Sequence, residues 1–113
     1  MKIIETKNAP GAIGPYSQGY EVNGFVFTSG QIPINPKSGN IEAEGITAQT
    51  EQVMKNLGEV LSAAGTSYDK AIKTTCFLAD MADFAAFNEV YAKNITNTPP
   101  INANGKLSII TAD

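Results

Sequence analysis

The stretch TAQTEQVMKNLGEVLSAAG, residues 47–65, followed five residues later by AIKTTCFLA, residues 71–79, decides the fold. In the first, Val53, Met54, Leu57, Val60, Leu61 and Ala64 recur at steps of three and four. That is the period of an amphipathic helix, and Gly65 is its stop. Thr47 or Thr50 can cap the start, with Glu51 in the first turn or so. Gly58 inside the helix costs about 1 kcal/mol against Ala, so it is read as a point of close packing on a sheet. The second stretch alternates: Ile72, Thr74, Cys76 and Leu78 point one way, and Lys73, Thr75 and Phe77 the other.

Toward the N-terminus, Lys2 to Thr6 is a short strand and residues 8–19 read as loop. Tyr20 to Val22 and Phe25 to Ser29 flank Asn23-Gly24, the strongest short signal for a β-hairpin. Residues 30–45 carry Pro33, Pro36, Gly39 and Gly45 and hold at most a small hairpin at Lys37-Ser38-Gly39-Asn40. Toward the C-terminus, Asp80 or Asp83 caps a second helix that runs through Asn94. Phe84, Phe87, Val90 and Tyr91 share one of its faces. After Pro99-Pro100, Leu107 to Thr111 is the sole strand candidate. The order β-β-β-α-β-α-β predicts an α+β fold: one mostly antiparallel sheet with two helices on a single face, as one domain over residues 1–113.

Composition narrows the chemistry. The 113 residues hold eight Lys against eleven Asp plus Glu, a net charge of −3, with no Arg, His or Trp. Without His there is neither a Ser-His-Asp triad nor a His general acid. One Cys and no His leave zinc without a plausible ligand set, so no metal is expected. A lone Cys forbids an intrachain disulfide and fits a reducing compartment. The pI near 4.8 argues against a dedicated nucleic-acid binder. No signal peptide or membrane span is visible, so a cytoplasmic protein without nucleic-acid or membrane partners is expected.

Several blocks are distinctive. Ala12-Ile13-Gly14-Pro15-Tyr16-Ser17-Gln18, Phe27-Thr28-Ser29-Gly30-Gln31-Ile32-Pro33 and Lys73-Thr74-Thr75-Cys76-Phe77-Leu78 occur in that order, followed by Asp80-Met81-Ala82-Asp83-Phe84 and Phe87-Asn88-Glu89-Val90-Tyr91. In these blocks, over roughly its first hundred residues, the chain resembles the RidA (YjgF-like) family of enamine and imine deaminases. The resemblance implies a chorismate-mutase-like subunit, a homotrimer with clefts between subunits, and hydrolysis of 2-imino acids to 2-keto acids and ammonia without a cofactor. It carries catalytic positions over to Tyr16, Ser29 and Asn88. Substrate-binding positions fall on Gly30, Gln31, Phe84 and Asn102.

The tail departs from the family. Asn102 stands where the family has a carboxylate-binding arginine, and Asn104 where it usually has a cysteine. The chain ends at Asp113, short of where a last strand bearing a water-orienting glutamate would finish. A truncated last strand and an exposed sheet edge are therefore expected. A charge-assisted bidentate pair is roughly twice as strong as a neutral hydrogen bond, so Asn102 implies weaker substrate binding unless Lys93 or Lys106 moves in.

Read without the family, each residue has a plainer role. Tyr16 packs beside Pro15, Ser29-Gly30 ends a strand, Asn88 is solvated on a helix, and Cys76 is a buried small hydrophobe. Two functions of different class follow: an imine deaminase, impaired by its tail, or a non-catalytic trimer that binds small carboxylates or serves in regulation. The ribonuclease and translation-inhibitor labels also attached to the family fit an acidic chain without His or Arg poorly.

Overall fold

A computed structural model describes residues 1–95 together with the backbone of residues 101–104 and 108–112. Six strands form one sheet: β1 (Lys2–Ile4), β2 (Gly19–Val22), β3 (Phe25–Thr28), β4 (Ala71–Cys76), β5 (Ile101–Asn104) and β6 (Ser108–Ala112). Their order is β1-β2-β3-β6-β4-β5. All neighbours are antiparallel except β4 and β5. Two helices, α1 (Gly45–Ala63) and α2 (Phe84–Asn94), complete the α+β fold. Neither is long and apolar enough to cross a membrane.

The hairpin forms as its turn dictates. Asn23 at φ 51° and Gly24 at φ 81° take the two positive-φ positions between β2 and β3. Gly19 in β2 is a close-approach glycine, since a Cβ there would lie 2.9 Å from the Phe27 carbonyl oxygen.

The apolar stripe of α1 is buried as its period predicts, with Met54, Leu57, Val60 and Leu61 at 2% exposure or less. They pack with Ile4, Val26, Cys76, Phe87 and Tyr91 between the helices and one face of the sheet. On the opposite face, Phe25 and Phe27 alternate outward around buried Val26 and stay 44% exposed.

Several expectations need correction. Neither Thr47 nor Thr50 caps α1, because the helix begins earlier, at Gly45, with Glu44 in the cap position and no side-chain cap bond. Thr50 is buried instead and donates its hydroxyl to the Ile46 carbonyl at 2.6 Å. Gly58 packs against the ring of Tyr68 rather than a sheet: a Cβ would meet Tyr68 Cε2 at 3.4 Å. The Tyr68 hydroxyl in turn donates to the Met54 carbonyl. Strand β4 stops at Cys76, and Phe77 to Ala79 leave the sheet. Thr74 and Cys76 are buried as their alternation predicts. Ile72 is 40% exposed, because the register with β6 slips between Ala71 and Lys73. Residues 37–40 form turns, not a hairpin; Asn35 N–H donates to the Asn40 carbonyl at 2.9 Å and Gly39 N–H to the Asn35 carbonyl at 2.8 Å. Asp80 caps the single 3-10 turn before α2, accepting from Ala82 N–H at 2.9 Å.

Two findings concern the tail. Residues 101–104 form a strand that sequence patterning misses, since Ile-Asn-Ala-Asn has little β-propensity of its own. The parallel pairing comes from a β4-α2-β5 crossover, with Thr74 opposite Asn102 and Cys76 opposite Asn104. Strand β6 lies one residue beyond the expected 107–111 and pairs with both β3 and β4. The edge expected to open at the last strand is thus filled by 108–112, inside the sheet.

Candidate functional site

The loop from Pro10 to Gln18 folds over the start of β2 because Gln18 pins it. Gln18 is 4% exposed, and its side-chain amide is engaged by backbone. Its Oε1 accepts from Thr6 N–H at 2.6 Å, while Nε2 donates to the carbonyls of Thr6 at 3.0 Å and Pro10 at 2.9 Å. Its own carbonyl receives both the backbone N–H of Ser29, at 3.0 Å, and the Ser29 hydroxyl, at 3.2 Å. Tyr16 sits two residues before this anchor in a tight turn, its N–H donating to the Gly14 carbonyl at 2.8 Å. Its ring is about half exposed.

Tyr16, Ser29, Gly30 and Gln31 consequently line one small cleft of about 30 Å³, with Gln18 and Ile32 among its other walls. On the far side of Tyr16 the cleft is bordered by an open groove of about 400 Å³, where Lys7 and Glu5 join Ser17 and Gln18. On the far side of Gly30 to Pro33 lies a more apolar pocket of about 310 Å³. Ile46, Val53, Leu78 and Phe87 line it, with Gln49, Thr50 and Asp83 as polar groups. The small cleft shares Gly11, Tyr16 and Gln18 with the groove, and Gly30, Gln31 and Ile32, on the loop that leaves β3, with the apolar pocket. The helix behind this loop holds it in place. Asn56 of α1, fully buried, donates to the carbonyls of Ile32 at 3.2 Å and Ile34 at 2.9 Å, and Gln52 donates to its Oδ1 at 2.8 Å.

Four of the seven expected site residues are thereby brought together. Phe84 and Asn88 are not: Phe84 is half-buried at the start of α2, Asn88 is exposed on its outer face, and neither lines these concavities. Asn102 is placed by backbone register opposite Thr74, and the surroundings of its side chain lie outside the described residues. Lys106 also lies outside them, and Lys93 is exposed near the end of α2. Sequence reasoning misses Lys7, a cation on the groove beside Tyr16, because eight residues separate the two along the chain. Its other omissions are the anchoring amides of Gln18 and Asn56, which an isolated polar residue in a loop or helix does not announce.

Cys76 forms part of the wall of the apolar pocket. Burial pushes its thiol up to about 11, against the pull of a hydrogen bond with Thr74. At neutral pH it is a protonated, poorly nucleophilic thiol. Burial likewise raises the Tyr91 hydroxyl, which shares a 2.6 Å hydrogen bond with Thr74 Oγ1. These two groups are core polar atoms away from the Tyr16 cleft, whose described lining holds no Asp, Glu or Lys. Tyr16, Ser29 and backbone can place a water and a polar carbon, and Lys7 brings a positive charge to the adjoining groove.

Comparison with known proteins identifies the family and the fold. The family model described as Endoribonuclease L-PSP matches residues 6–106. A Lactococcus lactis protein named as a candidate regulator, AldR, is 55% identical over 93 residues, which are 82% of this chain and 74% of that protein. The mouse 2-iminobutanoate/2-iminopropanoate deaminase is 43% identical over 102 residues, 90% of this chain and 76% of its own length. Among solved structures, that of Escherichia coli TdcF with bound serine superposes with a TM-score of 0.92. It is 38% identical and covers 100% of this chain and 99% of the TdcF chain. With the family model matching residues 6–106 and its fold shared across full length, the chain belongs to the Endoribonuclease L-PSP family, the YjgF/RidA family.

Proposed function

We propose that this chain hydrolyses reactive 2-imino acids and their enamine tautomers, such as 2-iminobutanoate and 2-iminopropanoate, to 2-keto acids and ammonia. The observation that carries this reading is the convergence of Tyr16, Ser29, Gly30 and Gln31 on one cleft in a chain 43% identical to a mouse protein named for that activity. In this reading water adds to the C2 carbon of the protonated imine, giving a carbinolamine. Collapse of that intermediate expels ammonia and leaves the ketone. The enzyme supplies orientation and hydrogen bonds rather than a covalent intermediate, consistent with a cleft of neutral groups. Ser29 accepts a hydrogen bond from the substrate N–H or the water, and Tyr16 donates to the developing oxygen or the carboxylate. Asn88 and Phe84 of a neighbouring subunit complete the cleft in a trimer.

The trimer belongs to this proposal. The unpartnered sheet face with Ile3, Phe25 and Phe27 is apolar enough to form the seam between copies. A cytoplasmic setting for removal of reactive intermediates belongs to the proposal, supported by a buried, protonated thiol. Asn102 in place of the family arginine supports slow turnover with weak carboxylate binding. The name of the Lactococcus relative favours a second reading, a non-catalytic family member that binds small carboxylates for regulation. A ribonuclease activity has no supporting acid-base pair in a chain without His.

The test is hydrolysis of 2-iminobutanoate generated in place from threonine by a dehydratase. The parent chain is expected to accelerate decay above the uncatalysed rate, with Tyr16→Phe slower by about 10–100-fold, as for loss of one positioned hydrogen-bonding group. A folded parent that gives no acceleration, yet binds 2-oxobutanoate, sinks the enzymatic reading in favour of the regulatory one.

A further inference from the structure

We infer that Gln18 is a positioning residue that fixes Ser29 as a hydrogen-bond acceptor toward the reacting centre. This inference rests on the imine-hydrolysis reading for its catalytic half and on the geometry alone for its structural half. Both donor hydrogens of the Gln18 side-chain amide are committed to backbone, and its oxygen already accepts from backbone. Its acceptor takes Thr6 N–H, and its two donor hydrogens go to the Thr6 and Pro10 carbonyls. Ala9 O lies at 3.5 Å from the same nitrogen, at the limit of a hydrogen bond. The residue is 4% exposed, so these bonds form away from water, where the directional cost of losing them is greatest. Gln18 therefore acts through what it holds.

What it holds is its own carbonyl, aimed at the end of β3. That oxygen takes the N–H of Ser29 at 3.0 Å and also its hydroxyl at 3.2 Å. A serine hydroxyl has one proton and two lone pairs. With the proton committed to Gln18, Ser29 faces the cleft with lone pairs only. It can accept from an iminium N–H or from a water O–H, and it cannot donate to a substrate carboxylate. An accepting Ser29 orients an attacking water with its own lone pair free for carbon, and it favours the protonated, more electrophilic form of an imine. Tyr16 lines the same cleft, but its turn is closed by its own N–H on the Gly14 carbonyl at 2.8 Å and not by the Gln18 amide, so Ser29 is the group that Gln18 positions.

The experiment is a cycle of Gln18→Met, Ser29→Ala and the double variant on the full-length protein, read by kcat, KM and amide hydrogen exchange. Gln18→Met keeps side-chain length and removes the three backbone bonds. Expected is a fall in kcat of about 10–100-fold with KM changed less than about threefold, as for a displaced catalytic group. In the Ser29→Ala background the same substitution costs less than about twofold, because its target is gone. Exchange of the Ser29 amide accelerates at least about tenfold in Gln18→Met while the α1 amides keep their protection. Losses that multiply independently, or a Ser29 amide as protected as in the parent, overturn the proposal. Should Gln18→Met fail to fold, Gln18→Glu, which keeps the shape and the acceptor for Thr6 N–H, enters the same cycle. A parent without imine hydrolysis overturns the reaction and any catalytic role for Gln18, and the exchange comparison still decides whether Gln18 holds Ser29.

Discussion

Tyr16 and Cys76 show how far the identity of a residue carries at its own scale. Tyr16 is a half-exposed ring on a turn, and only its company in the cleft marks it for chemistry. Cys76 is the opposite case, since its burial and its raised thiol agree with the plain reading of a small hydrophobe. Its titration makes a prediction with a definite sign. The folded state holds the thiol proton up to about pH 11, whereas the unfolded chain releases it in the ordinary thiol range. Its contribution to stability is full below the ordinary thiol range and is lost as pH rises through about 11. The urea midpoint of the parent should fall more steeply between pH 8 and 10 than that of Cys76→Ala, which lacks the titrating group. Parallel slopes for the two proteins would refute it. Accessible-thiol reagents at pH 7.5 should label the folded protein only at its opening rate.

At the scale of elements, α1 both supplies the core and steadies the site. Its apolar stripe was legible from spacing alone, because burial of one face imposes the period. Its start was not. A search for a Ser, Thr, Asp or Asn cap passes over Glu44 and Gly45, where the helix begins without a side-chain cap bond. Nor does the spacing show what Asn56 does. It sits within the buried face as a polar residue and bonds two carbonyls of the loop that lines all the way from Gly30 to Ile34. Asn56→Ala leaves those carbonyls and a cavity behind, so the protein should lose about 1–3 kcal/mol in urea titration. Because the loop carries Gly30 and Gln31, KM for an imino acid should rise in the same variant. An unchanged KM would mean that the loop is held by its other contacts. Strand β5 makes the complementary point: Ile101 to Asn104 pair with β4 because a crossover delivers them there, not because their side chains favour a strand.

On the scale of the whole molecule, helices cover one face of the sheet, and among the described residues none covers the Phe25 and Phe27 side chains on the other. Val26 is fully buried while its neighbours Phe25 and Phe27 are 44% exposed, an amount of apolar surface that a second copy would cover. The proposed trimer predicts a solution mass near three times the 11.9 kDa of the chain. Phe27→Lys, in the centre of that face, should shift the sedimentation profile toward monomer while the far-ultraviolet spectrum stays folded. A parent sedimenting as a single subunit would remove the seam, and with it the placement of Asn88 and Phe84 in a shared cleft.

The sequence by itself determined the α+β class, the hairpin at Asn23-Gly24, the buried faces of both helices and the family. These are properties of period, turn stereochemistry and motif, which are local along the chain. Tertiary structure alone decided that 101–104 becomes a strand, that β6 lies between β3 and β4, and that Gln18 and Asn56 anchor the cleft. Each of these depends on which backbone groups meet across the fold: the amides of Gln18 and Asn56 find carbonyls between 8 and 24 residues away. No pattern of neighbouring residues encodes such partners, because a buried amide is satisfied by whatever the folded chain brings to it.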